Sequence, residues 1–327
     1  MRDFGRVLAL KARLQIADGR LDDALGTIQT GYALARDVAQ GQTLINALVG
    51  MAISATMDNR LEELIQQPGA PNLYWALTAL PKPLIDPRPG MEMEMNMVYL
   101  AFPELRDIET RQRSPEEWRE LMNKLGSRLS EWSGMLDNKP SVPLMFTAMA
   151  LAGYPEAKRS LIARGRTPAE VEAMPVAQVV AIHTVSVYNE YRDEIFKWFY
   201  VPYWQSREGI REAERELQTG ARGREIIPFA RLLLPAIAQV NLAVAKCDRR
   251  IAALRTIEAL RMYAAAHHGT LPAKLADVTQ APAPADPITG QPFAYHLQGD
   301  TAILEGFAPS GTSAKSNGLR YEITLVK

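Results

Sequence analysis

Apolar positions between residues 7 and 38 recur with helical spacing. Leu8, Ala12 and Ile16 mark one helical face, Ala24, Ile28 and Gly31 a second, and Asp18-Gly19 punctuates the chain between them. This pattern predicts a helical hairpin. Pro68-Gly69-Ala70-Pro71 is a break, after which Asn72 is placed to cap a short apolar helix over 73–80 that Pro81 and Pro83 stop. A turn over 86–90 leads into a helix over 92–105. Ser114-Pro115-Glu116-Glu117 is a capping box with proline at the first helical position, opening a helix towards Leu136. The prolines at 140 and 143 then precede helices over 144–152 and 154–164. Thr167-Pro168-Ala169-Glu170 repeats the capping-box signature, and Pro175 begins a long helix to about Tyr200.

From Pro235 a helical pattern runs to His268, with Val240, Val244, Ile251, Leu254, Ile257, Leu260 and Tyr263 among its apolar positions, and Gly269 ends it. Beyond it the period changes. Short runs at 293–297, 302–305 and 320–326 read as strands, and the polar loop 310–318 reads as mobile. No segment of 1–235 sustains period-two alternation, so no sheet is expected there. The fold class is mainly α, an irregular helical-hairpin array followed by a small α+β module. The expected division is a helical body over 1–235 and a long helix plus antiparallel sheet over 236–327.

Composition narrows the functional classes. Lys plus Arg and Asp plus Glu number 37 each, a zero balance that disfavours a general nucleic-acid binder, and no nucleic-acid partner is expected. Hydrophobic residues make up 47% and aromatics 7%, so Ala, Leu, Val and Met must fill most of the core. The single cysteine, Cys247, has no internal disulfide partner, which leaves the redox compartment open. Residues 1–30 lack the pattern of a signal peptide, and an envelope or periplasmic setting stays open if the native start lies upstream. The most apolar stretch, 226–245, contains Arg231, Gln239 and Asn241 and is broken by Pro228 and Pro235. It reads as a buried helix, and no transmembrane segment is expected in this chain.

The run from Ala17 to Leu25, with Gly19 at a helix end and Ala24 small, resembles the middle of a tetratricopeptide repeat. The likeness covers about one repeat. A fainter echo over 59–65 lacks the Gly and the Ala. Farther on, Ala259, Leu260 and Tyr263, then Gly269, Leu271, Pro272 and Leu275, then Asp286, Pro287, Gly290, Pro292, Phe293 and Tyr295 form an ordered string. That string resembles the soluble module of the type II secretion major pseudopilin, in which a long helix precedes a small antiparallel sheet. The resemblance implies a folded tail; turn chemistry over 286–290 predicts a surface turn, and strand parity puts Phe293 and Tyr295 on one sheet face, with Ile303 expected in the buried set. An apolar membrane helix does not directly precede this module, and the late loop over 310–317 lacks the acidic residues of the family's calcium site, so the likeness carries neither filament assembly nor calcium. The whole chain also looks like uncharacterised proteins of planctomycete bacteria, a likeness that implies no activity.

No phosphate-binding glycine loop, zinc-protease motif, serine-hydrolase elbow or cysteine pair occurs. No cofactor or metal is expected. His267 and His268 sit where a helix ends, which suits capping better than metal binding. His183, Glu190 and Glu194 share one helical stripe, so an imidazole beside two carboxylates is a candidate for acid–base chemistry, against the plainer reading of a solvated polar face. Tyr188, Tyr191, Phe196, Trp198, Phe199, Tyr200, Tyr203 and Trp204 crowd around Pro202. They read chiefly as a core corner. The rival reading is an aromatic recognition surface of Tyr191, Trp198, Tyr203 and Trp204. Met91, Met93, Met95 and Met97 offer an adaptable contact surface or partial burial. The leading expectation is a non-enzymatic scaffold with a protein partner of unknown identity. The rivals are an envelope or secretion component, and an enzyme or ligand-binder with a pocket around His183.

Overall fold

The structure is a computed structural model that describes the backbone of residues 1–133, 142–220, 225–227, 229–309 and 311–325, and the side chains of these except 129–133, 142–147, 232, 233 and 235–238. Leu136, Pro140, Pro228 and Val326, and the side chain of Pro235, lie outside it. The helices are α1 (Arg2–Ala17), α2 (Leu21–Ala39), α3 (Leu44–Ile65), α4 (Tyr74–Thr78), α5 (Arg88–Ala101), α6 (Pro115–Ser133), α7 (Val142–Ala163), α8 (Pro168–Glu172), α9 (Val176–Phe196), α10 (Tyr203–Thr219), α11 (Phe229–Ala266) and α12 (Ala314–Asn317). The strands are β1 (Ala294–Gln298), β2 (Thr301–Gly306) and β3 (Leu319–Thr324). The protein is mainly helical, and among the described residues the only sheet is this antiparallel one, in the order β1-β2-β3.

The contacts form two compact units that interleave along the chain. One comprises Met1–Met93, Pro202–Ser206 and Gln239–Lys327; the other comprises Glu94–Val201 and Arg207–Ala238. The N-terminal hairpin therefore folds with the C-terminal module, a grouping that a single cut near residue 235 does not describe.

In the first unit α1, α2 and α3 pack on one another. The α1–α2 turn needs Gly19 at φ 73°, a conformation that a Cβ disfavours. Ala12, Ala24, Ala35 and Ala39 have no exposed surface, so the helices approach closely. A Cβ added at Gly50 would lie 2.5 Å from the Ala35 carbonyl oxygen. Leu73, not Asn72, is the N-cap of α4, which is shorter than 73–80; Asn72 Oδ1 accepts from the Tyr74 amide at 3.1 Å from one residue further out.

α11 begins at Phe229, ahead of Pro235, and ends as Gly269 takes φ 78° and donates its amide to Ala264 O at 2.8 Å. Every residue from Ile251 to Leu260 is buried, Leu254 and Leu260 completely. Each such leucine contributes about 1.5–3 kcal/mol relative to exposure. Ala302 and Leu304 on β2 pair with Leu297 and Tyr295 of β1 and with Ile323 and Tyr321 of β3. By strand parity these six share one face with Phe293, which is 4% exposed. Ile303 is buried as expected but has the opposite parity, opposite His296 and Glu322. Tyr295 is only half-buried and donates to Pro272 O at 2.7 Å.

One expectation about the tail is corrected. The 286–290 segment is a turn, with Gly290 at φ 70°, but it is not a surface turn at its origin, because Asp286 and Ile288 are buried. Arg249 Nε and Nη2 donate to the two Asp286 oxygens at 2.8 and 2.5 Å, and Oδ1 also accepts from the Ile288 amide at 2.9 Å. The 310–318 loop, described over 311–318, holds a helix. This is α12, whose Ser316 and Asn317 carbonyls accept from Lys246 and Arg249 at 2.8 and 2.7 Å.

In the second unit both capping boxes are present. Ser114 and Glu117 exchange hydrogen bonds at the start of α6, as do Thr167 and Glu170 at the start of α8. α6, α7 and α9 pack together, and Trp118 is 1% exposed. Glu225 caps the start of α11 by accepting from the amides of Ala230 and Arg231 at 2.7 and 3.3 Å. Its burial pushes its carboxyl up to about 7.

Candidate functional site

The stripe on α9 divides between the core and ion-paired positions. His183 is 1% exposed, packed into a helix buried on most sides. Glu190, with 38% of its side chain exposed, pairs with Arg164, and Glu194 pairs with Lys197 at 2.7 Å. The carboxylates thus face basic partners, while the imidazole lies in the core. A general acid–base pair needs both groups aimed at one reacting atom.

The aromatic segment divides among three roles. Tyr191 is 1% exposed and donates to Glu216 O at 3.0 Å, so it belongs to the core and not to a recognition surface. Trp198 covers Gly209, where any Cβ would collide with its indole, and its ring also meets Lys197 Nζ at 5.0 Å. Tyr203 is half-buried. Trp204 is 45% exposed and lies over the turn at Gly290, 2.6 Å from where a Cβ would stand. The glycines were the missed signal, because each tryptophan needs a residue without a side chain beneath it. Met91 is 3% exposed and Met93 is 36% exposed, so the methionine run is not one continuous surface. His267 stacks on Tyr263 with ring centroids 3.8 Å apart, and its Nδ1 lies 2.7 Å from Tyr263 O. A carbonyl only accepts, so Nδ1 carries the proton there and the ring caps α11.

Two features escaped sequence reasoning. The first is a polar centre in the first unit. Asp58 on α3 is fully buried and accepts from the Tyr32 hydroxyl at 2.6 Å. Burial drives its carboxyl up to about 7, offset in part by the Tyr32 bond and the Arg250 charge. Arg250 donates to Asn59 Oδ1 at 2.8 Å and to Ala55 O at 3.3 Å, and Tyr321 on β3 donates to Glu62. Cys247, beside this centre, is buried and its thiol is pushed up to about 12, first by burial and then by the Asp58 charge. It is therefore a thiol and not a nucleophilic thiolate at neutral pH.

The second feature is on α1. Gly5, Ala9, Ala12 and Ile16 are buried, whereas Phe4, Val7, Leu10 and Leu14 are 65%, 63%, 60% and 57% exposed. At 100° per residue these four span one side of the helix. Arg2, Arg6, Lys11 and Arg13 surround them, and Asp3 is the one acid within α1.

Among the described residues no group of three or more His, Cys, Asp or Glu is placed to hold a metal ion, and no helix is long and apolar enough to cross a membrane. No family model, curated protein or solved structure matches this chain.

Proposed function

We propose that the protein is a non-enzymatic interaction scaffold that docks a partner helix along α1. The observation that carries this reading is the exposed apolar side formed by Phe4, Val7, Leu10 and Leu14 on a helix whose opposite side is buried. Large contiguous apolar patches are uncommon on surfaces that bind nothing. Anchors spaced three and four residues apart suit an amphipathic helix laid alongside. The basic residues around the patch select a partner helix flanked by acids, because opposite charge speeds encounter and fixes orientation. Under the same reading α1 and α2 act as a tetratricopeptide-like hairpin, and the pseudopilin-like tail serves as its packing partner within the unit.

A synthetic amphipathic helix with leucines at that spacing and flanking glutamates is the probe. Binding measured by calorimetry is expected in the micromolar range, about −8 kcal/mol. The variant Leu10→Asp/Leu14→Asp, at positions already in water, is expected to keep its fold and lose at least about tenfold in affinity. A peptide with lysine flanks is expected to bind more weakly. Equal binding by the variant, or by the lysine peptide, overturns the reading. So does self-association through α1 that excludes the peptide.

A further inference from the structure

The second half of α11 presents three arginines whose terminal nitrogens are held by the protein itself. Arg249 holds Asp286 and the carbonyls of Asn317 and Phe307. Arg250 holds Asn59 and the Ala55 carbonyl, and Arg261 holds Glu258 and the Ala70 carbonyl. Arg255 differs. It is only 9% exposed, yet its protein partners among the described residues are the Thr78 hydroxyl, 3.0 Å from Nε, and the Tyr74 ring, 5.4 Å from the guanidinium carbon. Among the described residues its two terminal nitrogens have no hydrogen-bond acceptor. They are not among the fully enclosed polar atoms, so this edge of the guanidinium is open to solvent.

Arg255 lines a cleft of about 340 Å³ in the first unit. Leu77, Leu84, Ile251 and Pro284 supply apolar walls, and Lys82 and Asp248 are the other charged residues of the lining. Asp248 is occupied in part, since it accepts from the Leu84 amide at 2.9 Å. The volume lies within the range of small-molecule sites, which combine apolar walls with a few placed polar groups.

We propose that this cleft binds a small monocarboxylic acid with an apolar body, its carboxylate taken by the open edge of Arg255. The fork of two N–H groups matches a carboxylate bidentately. Two cations and one carboxylate line the cleft, so the surplus is a single positive charge, and Asp248 opposes a dianion such as a phosphate monoester. The apolar walls take the hydrocarbon. This site is independent of the α1 surface, and either can fail without the other.

The test uses the full chain with hexanoate and 4-phenylbutyrate, and with their isosteric amides as controls. Methyl resonances of Leu77, Leu84 and Ile251 report occupancy. The acids are expected to shift these methyls at millimolar concentration and to bind at least about tenfold more tightly than the amides. Arg255→Met is expected to abolish that preference while leaving amide binding unchanged. Lys82→Gln, an exposed change that leaves the fold intact, is expected to weaken the acids about two- to threefold. Absence of methyl shifts with either acid overturns the proposal. Equal binding of acid and amide by the unaltered protein also overturns it, and that comparison stands whether or not Arg255→Met folds.

Discussion

Helix α9 and the second half of α11 are both buried on most sides, but they dispose of their polar residues differently. On α9 Glu190 and Glu194 sit in ion pairs with 38% and 15% of their side chains exposed, and His183 is buried. On α11 the charged groups are inside. Arg249, Arg255 and Glu258 are 3%, 9% and 0% exposed. Two of these meet the desolvation cost with complete partner sets: Arg249 with Asp286, and Glu258 with Arg261 and the Leu73 amide. The third, Arg255, does not. The lesson is that a helix flagged by its residue types can be plain packing, while one that reads as a packing helix can carry the buried charges of its unit.

The sharpest way to break this contrast is to remove one partner of the α11 pair. Arg249→Met leaves Asp286 buried and uncompensated, and is expected to cost roughly 3–5 kcal/mol in denaturant unfolding. Replacing both residues, Arg249→Met/Asp286→Leu, should recover much of that loss. A cost below about 1 kcal/mol for the single change would mean that the pair is not a structural link.

Packing beneath the sheet gives the next largest effect. Leu304→Ala removes a side chain with no exposed surface and is expected to cost about 2–5 kcal/mol. Tyr295→Ala, at a half-buried position, should cost less than Leu304→Ala in the same measurement. The reverse order would contradict the assignment of the packed face.

The polar centre around Asp58 sharpens the comparison through pH. Its folded carboxyl is raised to about 7, well above the 3.8 of an ordinary aspartate, so between those limits the folded protein holds a proton that the unfolded chain has released. Stability from this group is fully present below about pH 4 and falls as pH rises towards 7, by about 1.4 kcal/mol per pH unit at most. Asp58→Asn should flatten the slope of unfolding free energy against pH over that window. An unchanged slope would refute the raised carboxyl.

The smallest effect belongs to α9. Glu190→Gln breaks an ion pair in which each partner keeps about a third of its side chain exposed, and it should shift stability by no more than about 1 kcal/mol. A loss as large as that of Arg249→Met would erase the distinction between the two helices.

What the sequence by itself determined was the helical class of the chain, the strands of the tail and several of the local start and stop signals. The capping boxes at Ser114 and Thr167, the turn at Gly19 and the stop at Gly269 all rest on interactions within a few residues. Such signals survive without knowledge of the rest of the chain. The three strands were legible because period two and turn residues are local as well. The candidate sites were not legible. His183, Glu190 and Glu194 share a stripe in sequence, but a shared stripe does not say whether a cleft or a core faces it. Only the tertiary structure decided which polar groups are enclosed and which partner each finds. Arg249 reaches Asp286 across 37 residues, and Tyr321 reaches Glu62 across 259. Among the described residues it also left the far side of α1 uncovered and the edge of Arg255 open. Burial depends on what arrives from elsewhere in the chain. Where a helix is covered all round, as over 251–260, its own pattern of apolar residues no longer marks an inside and an outside.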